Sequence, residues 1–176
     1  MLGEFLRKLF TGFRSKPSPI SLPQTDFLSP ATAEQVAYQR YLTSLIKFQA
    51  ITVRAALTEL RLVTLKRQAA LLIKNGNTKE LAEAQAMSDI LEHMRGMDWD
   101  RLCSPDADTS LPNDDAEWMG ELLQTALDNQ IVGHLHRAAA STDAEEIDEE
   151  RFMATQIEEM LTINWAARLS PVLPKS

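Results

Sequence analysis

Apolar residues recur at helical spacing along most of the chain, and the longest uninterrupted stretch of this kind covers residues 31–75. It contains neither proline nor glycine, and Ser29 followed by Pro30 is typical of an N-cap and a first helical turn. The pattern predicts one helix over 31–75, far longer than the average helix of a globular protein. Its apolar face is broad, which predicts a coiled coil or a bundle with at least two neighbouring helices.

The rest of the body, up to residue 176, shows the same periodicity in shorter segments, with a polar connector over 97–112. No strand pattern and no internal repeat at a fixed period is apparent. We therefore expect an all-α protein, an elongated helical bundle built on the long helix, with antiparallel helical hairpins. The further helices are predicted over 78–95, 113–140 and 143–169.

Turn and capping residues mark the ends of these helices. Gly76 suits the residue that terminates the long helix, and Asn77 with Glu80 forms a capping box for the next one. A turn this short predicts that the two helices form an antiparallel hairpin. Thr142 with Glu145 indicates a second capping box, at the start of the last helix.

The first thirty residues differ in pattern from the body at 31–176. Apolar and basic residues share residues 1–14 at helical spacing, which predicts an amphipathic N-terminal helix. Four prolines fall within 15–30, so this segment is predicted to be a Pro-rich linker. We expect the apolar side of the N-terminal helix to dock on a partner, through Leu2, Phe5, Leu6, Leu9, Phe10 and Phe13.

The net charge of −7 is divided unevenly along the chain. Residues 1–75 carry 11 Lys+Arg and 4 Asp+Glu, a net +7, whereas residues 76–176 carry 7 and 21, a net −14. A basic stripe repeats every seven residues on the long helix. Because the pI is near 5.0, an acidic helix is a better partner for this stripe than nucleic acid. The stripe consists of Arg40, Lys47, Arg54 and Arg61.

Side chains that could catalyse a reaction or bind a metal or phosphate do not form a recognisable motif. No histidine lies three residues after a glutamate, as a ferritin-like metal site requires, and His134 and His136 point to different faces of a helix. The single cysteine, Cys103, has no partner for an internal disulfide. There is no glycine-rich phosphate loop and no Gly-x-Ser-x-Gly sequence. We predict no catalytic, cofactor-binding or metal-binding residues, and a protein that is not an enzyme.

These features favour a non-enzymatic structural or interaction subunit of a larger assembly, of the virion, secretion-machine or scaffold and adaptor type. It would dock through its N-terminal helix and form homo- or hetero-oligomers through the long helix, in the cytoplasm or within the assembly, without being secreted. One alternative is a peripheral membrane protein held on an anionic surface by residues 2–14. A second alternative is a small helical enzyme or metal protein whose site has no recognisable signature.

Overall fold

A computed structural model describes residues 30–74 and 77–173, and within these residues it contains six helices and no strand. The predicted all-α class is confirmed. The predicted helix over 1–14 and nearly all of the linker over 15–30 lie outside the described residues. The helices are α1 (Pro30–Ile73), α2 (Thr78–Arg95), α3 (Trp99–Leu102), α4 (Asp114–Ala140), α5 (Ala144–Leu161) and α6 (Trp165–Leu169).

The chain divides into two compact units, Met1–Tyr38 and Gln39–Ser176. Of the first, the structure describes only the beginning of α1. The second contains every buried apolar side chain found among the described residues, from Phe48 to Leu173. The hydrophobic core therefore belongs to the second unit.

The second helix of each hairpin, α2 or α5, is capped at its N-terminus by a side chain in the same way. α2 begins and ends at the predicted residues, and Oδ1 of Asn77 accepts a hydrogen bond from the backbone N–H of Lys79 at 2.9 Å. α5 is capped by Asp143 instead of the predicted Thr142, and Oδ1 of Asp143 accepts from the backbone N–H of Glu145 at 2.9 Å. Each cap satisfies an N–H that the helix itself leaves without a partner.

The prediction of one helix over 143–169 is wrong, because α5 ends at Leu161 and α6 begins at Trp165. Asn164 caps the second of these helices by accepting a hydrogen bond from the backbone N–H of Ala167. The indole of Trp165 folds back, and its Nε1–H donates to the carbonyl oxygen of Met160 at 3.1 Å. A new cap and a side-chain donor replace the continuing helical bonds, so the chain turns although its apolar spacing continues.

The predicted connector over 97–112 contains a short helix, α3, that the sequence pattern did not indicate. Asp98 caps it, accepting from the backbone N–H of Arg101 at 3.2 Å. The indole Nε1–H of Trp99 donates to the carbonyl oxygen of Met94 at 2.7 Å. This is the same turn as the one between α5 and α6, with every corresponding residue 66 positions earlier.

The expectation that the chain has no internal repeat is therefore wrong. We name residues 48–105 the first repeat and residues 114–171 the second repeat. α2 and α5 each have 18 residues and begin exactly 66 positions apart. Equivalent positions are buried in both repeats at Ala50/Ala116, Val53/Met119, Leu57/Leu123, Ser88/Ala154, Leu91/Ile157, Met94/Met160, Trp99/Trp165 and Cys103/Leu169.

The two repeats meet at their equivalent tryptophans. The rings of Trp99 and Trp165 pack edge to face, with centroids 6.1 Å apart and planes at 76°, and both residues are almost fully buried. Arg168 also crosses between the repeats, donating from Nη1 to the carbonyl oxygens of Leu102 at 2.6 Å and Ser104 at 3.0 Å. Leu102 and Arg168 are equivalent positions as well. Contacts between equivalent residues are typical of a two-fold arrangement.

Candidate interaction surface

The predicted basic stripe lies on α1, and the structure divides it into two parts. Nη2 of Arg54 lies 3.0 Å from Oδ2 of Asp100, and Nη1 of Arg61 lies 3.2 Å from Oε2 of Glu92. Both acidic partners belong to the first repeat. Arg40 and Lys47 are exposed. Two of the four stripe residues therefore form ion pairs within the first repeat.

Glu92 is held by two arginines. Arg95 donates to both of its carboxylate oxygens, at 2.6 and 3.0 Å, and this hydrogen bonding holds the pKa of Glu92 below its ordinary value. Arg61 adds a second positive charge nearby. The Nε of Arg61 is buried and makes no hydrogen bond with any described residue. The Arg61 side chain is thus half-buried, with its Nε enclosed and its Nη1 paired with Glu92.

Over its last three turns, α1 is exposed on the side that faces away from the packed side of the helix. Leu62, Val63 and Ile73 are exposed to 50 %, 62 % and 84 %, although they are large and apolar. We name this surface the α1 outer face. All of its residues are exposed, and they share one side of the helix by their spacing. The face comprises Leu62, Val63, Lys66, Ala69, Ala70 and Ile73.

The second repeat has a corresponding surface on α4. Each member lies 66 positions after a member of the α1 outer face, and each is likewise exposed. Val132 and Leu135 are its large apolar residues, exposed to 63 % and 46 %. We name this surface the α4 outer face. It comprises Asp128, Asn129, Val132, Leu135, His136 and Ala139.

The two outer faces lie in regions of opposite charge. The segment 60–74 carries four basic residues and no acidic one. The second repeat carries 3 Lys+Arg and 13 Asp+Glu, a net −10, whereas the first carries 8 and 7, a net +1. Asp128 is part of the α4 outer face itself, and α5 adds an exposed acidic surface to the same hairpin. The two outer faces therefore lie in regions of opposite net charge, and their large apolar residues occupy different positions.

The two histidines of α4, His134 and His136, make different contacts. His136 is exposed on the α4 outer face. Nδ1 of His134 lies 2.6 Å from Oε2 of Glu150 and 2.9 Å from Nη2 of Arg137. One nitrogen cannot donate to the carboxylate and accept from the guanidinium at once, and the shorter contact places the Nδ1 proton on the Glu150 side. Among the described residues, no group of three or more His, Cys, Asp or Glu could hold a metal ion.

Glu150 is also bound by Arg137, whose Nε donates to both carboxylate oxygens at 3.0 and 3.1 Å. Burial raises the pKa of Glu150, but the hydrogen bonds from Arg137 and His134 outweigh it and leave the pKa below its ordinary value. Glu150 is therefore held as a carboxylate that ties α4 to α5. The equivalent residue of the first repeat is Ala84, so this polar cluster is particular to the second hairpin.

Cys103 is buried directly after α3, and its backbone N–H donates to the carbonyl oxygen of Trp99 at 2.9 Å. Burial raises the pKa of its thiol to about 12, although the nearby charge of Arg168 acts in the opposite direction. A thiol with such a pKa stays protonated at neutral pH and is a poor nucleophile. The residue packs in the core, at the position that Leu169 occupies in the second repeat.

The predicted docking residues Leu2, Phe5, Leu6, Leu9, Phe10 and Phe13 lie outside the described residues. In the ranges 30–74 and 77–173, no helix has both the length and the apolar content needed to cross a membrane. Comparisons with protein-family models, with curated protein sequences and with solved structures found no match to this chain.

Proposed function

We propose that this protein is a non-enzymatic structural or interaction subunit of a larger assembly, of the virion, secretion-machine or scaffold and adaptor type. It oligomerises through its long helix and docks on a partner through its N-terminal helix. The observation that carries the proposal is the exposure of Leu62, Val63 and Ile73 on the α1 outer face. A cluster of large apolar side chains on an exposed surface is typical of a protein–protein interface.

The equivalent repeat supports the idea that these side chains serve a partner. At the positions of Leu62, Val63 and Ile73 the second repeat has Asp128, Asn129 and Ala139, within the same helical hairpin. The hairpin therefore does not need large apolar side chains at these positions in order to fold. Burying one such side chain against a partner contributes about 1.5–3 kcal/mol, which favours association.

Sedimentation of the full chain at several concentrations tests this proposal. We expect species heavier than the 19.7 kDa monomer, increasing with concentration. The double variant Leu62→Gln with Ile73→Gln should shift the chain toward the monomer. The matched control is Leu111→Gln, which removes a leucine that is exposed in the connector outside both faces. A chain that is monomeric throughout and also retains no partner in affinity purification overturns the proposal.

The docking role of the N-terminal helix needs a separate experiment. Its apolar side chains occur at the spacing that amphipathic helices use to fill a groove, as in Leu2, Phe5, Leu6 and Leu9. Affinity purification from the native source, with the full chain and with a chain lacking residues 1–16, compares the proteins that are retained. A partner lost only from the shortened chain supports docking, and identical sets of partners contradict it.

A peripheral membrane role is the second candidate, favoured by the combination of apolar and basic residues within 2–14. The basic side chains would contact anionic headgroups while the leucines and phenylalanines enter the interface. Flotation with anionic vesicles, comparing the full chain with a chain lacking residues 1–16, tests this role. Equal flotation of the two chains removes it.

A further inference from the structure

We propose that the α1 outer face of one molecule packs against the α4 outer face of a second copy of this chain. This inference rests on the proposed function, because it names the partner of the long helix. It assigns the contact to two different surfaces, one from each repeat. The association therefore joins the first repeat of one molecule to the second repeat of another.

The exposed apolar side chains of the two faces are complementary in size. The α1 outer face has two small residues at its centre, Ala69 and Ala70, between larger ones toward its ends. The α4 outer face has Val132 and Leu135 at its centre and the small Ala139 toward its end. In an antiparallel pairing with Ala69 opposite Val132, Leu62 also faces the small Ala139, so at these two positions a larger side chain packs against a smaller one.

The same antiparallel register also matches charge. When Ala69 lies opposite Val132, Leu62 falls opposite Ala139, and Ile73, the last residue of α1, falls opposite Asp128. Lys74, the next residue along the chain, then lies near the Asp128 carboxylate. Opposite charges at the edge of an interface fix its register and accelerate association.

Charge also argues against two other occupants of the α1 outer face. A pairing of α1 with α1 would bring Lys66, Arg67 and Lys74 of one copy against the same residues of the other, and like charges in contact oppose association. The N-terminal segment 2–14 carries three basic residues and one acidic residue, so it has the same sign as the face. The α4 outer face, within a repeat of net charge −10, has the opposite sign.

Disulfide cross-linking between full-length variants identifies the occupant directly. Two variants are made, Ala69→Cys on the α1 outer face and Val132→Cys on the α4 outer face. The native Cys103 is buried and has a raised pKa, so it does not compete. Under mild oxidation, we expect the equimolar mixture to form a disulfide dimer several-fold faster than either variant alone.

Charge reversal provides a second test, which needs no introduced cysteine. We expect Lys74→Glu and Asp128→Lys each to weaken self-association, about tenfold or less, because they place like charges at the edge of the contact. The chain with both substitutions should recover most of the loss, since the pair is restored with its signs exchanged. The control is Lys79→Glu, which makes the same charge change on α2, away from both faces.

The outcomes separate this inference from the proposed function. If Ala69→Cys alone cross-links as fast as the mixture, the α1 faces pair with each other, and the inference is overturned while oligomerisation stands. If the full chain self-associates but the mixture gives no faster cross-link, another surface is used and the inference is again overturned. If the chain is monomeric and retains only a foreign protein, or binds anionic vesicles through the α1 outer face, a second copy is not the occupant.

Discussion

The two repeats make the same contact between their long and short helices with different residues. Where the long helix of the first repeat meets its short helix, Arg54 and Asp100 form an ion pair at 3.0 Å. The equivalent residues of the second repeat are Gly120 and Ala166. A Cβ placed on Gly120 would lie only 3.1 Å from the backbone nitrogen of Ala166. The same contact between a long and a short helix is therefore made in two ways. The first repeat uses an ion pair, and the second uses a close approach of two backbones.

The repeats agree in the core and differ on the surface. Both turns have a buried methionine whose carbonyl accepts from the indole of the following tryptophan, Met94 with Trp99 and Met160 with Trp165. The outer faces, in contrast, share neither their apolar positions nor their charge. The tryptophan turns hold the two hairpins together, so the surfaces are free to serve different contacts.

The largest expected effect comes from truncating either tryptophan. Trp99→Ala and Trp165→Ala each remove a large buried ring and its hydrogen bond, and we expect a loss of about 3–5 kcal/mol in the free energy of unfolding. Urea denaturation followed by circular dichroism measures both. Because the residues are equivalent, the two losses should be similar. A variant of either that loses less than about 1 kcal/mol would show that the turns are not equivalent supports of the core.

The polar cluster of the second repeat should give a smaller, pH-dependent effect. Glu150→Gln removes the charge that Arg137 and His134 bind, and hydrogen bonds to charged groups contribute about 1.5–3 kcal/mol. The pKa of Glu150 is lowered in the folded state, so its contribution is complete well above the ordinary pKa of glutamate. That contribution is lost as the pH falls through the folded-state pKa.

Denaturation curves between neutral and acidic pH test this prediction. The stability of the native chain should exceed that of Glu150→Gln at neutral pH, and the difference should shrink on acidification. The control is Glu149→Gln, which changes the adjacent, exposed carboxylate. A difference between the native chain and Glu150→Gln that is independent of pH would contradict the role given to this carboxylate.

The two described glycines within α4 form a matched pair. Replacing glycine by alanine within a helix gains about 1 kcal/mol from helix propensity. At Gly133 the new methyl group meets only the flexible Arg137 side chain, at 3.5 Å, so we expect Gly133→Ala to be stabilising. At Gly120 it meets the α6 backbone at 3.1 Å, and the required shift should cancel or reverse the gain.

Thermal unfolding of the two alanine variants compares them directly. A melting temperature of Gly120→Ala that rises as much as that of Gly133→Ala would mean that α6 yields without cost. In that case the close approach of Gly120 to Ala166 does not hold the second repeat in place.

The smallest effect is expected at the ion pair of the first repeat, which corresponds to the contact between Gly120 and Ala166 in the second. Arg54 and Asp100 are both substantially exposed, and exposed ion pairs contribute about 0–1 kcal/mol. A double-mutant cycle with Arg54→Ala and Asp100→Ala should therefore give a small coupling energy that decreases with added salt. A coupling above about 2 kcal/mol, or one that is insensitive to salt, would show a much drier contact than the structure indicates.

Sequence reasoning predicted the helices because their periodicity is local. The hairpin of α1 and α2 follows from apolar spacing and from the cap at Asn77. The break between α5 and α6 escaped prediction because Leu161 and Trp165 are four residues apart and so keep the helical spacing. The direction of an indole N–H, which creates the turn, cannot be read from apolar periodicity.

The repeat leaves only a weak signal in the sequence. Residues 91–105 and 157–171 share glutamate, methionine, tryptophan, serine and proline at equivalent positions. Elsewhere the repeats keep burial but not residue type, as at Val53 and Met119, because a core position accepts many apolar side chains. The broad apolar face of the long helix was recognised, but its division into a packed and an exposed side depends on where α2 lies.

The equivalence of the two repeats around their tryptophan contact is tested most directly by a double-mutant cycle. The free energy of unfolding is measured for the native chain, Trp99→Leu, Trp165→Leu and the double variant. Rings in edge-to-face contact at 6.1 Å should give a coupling energy of about 0.5–1.5 kcal/mol. Single-variant losses that are unequal and that add up without coupling would contradict the account.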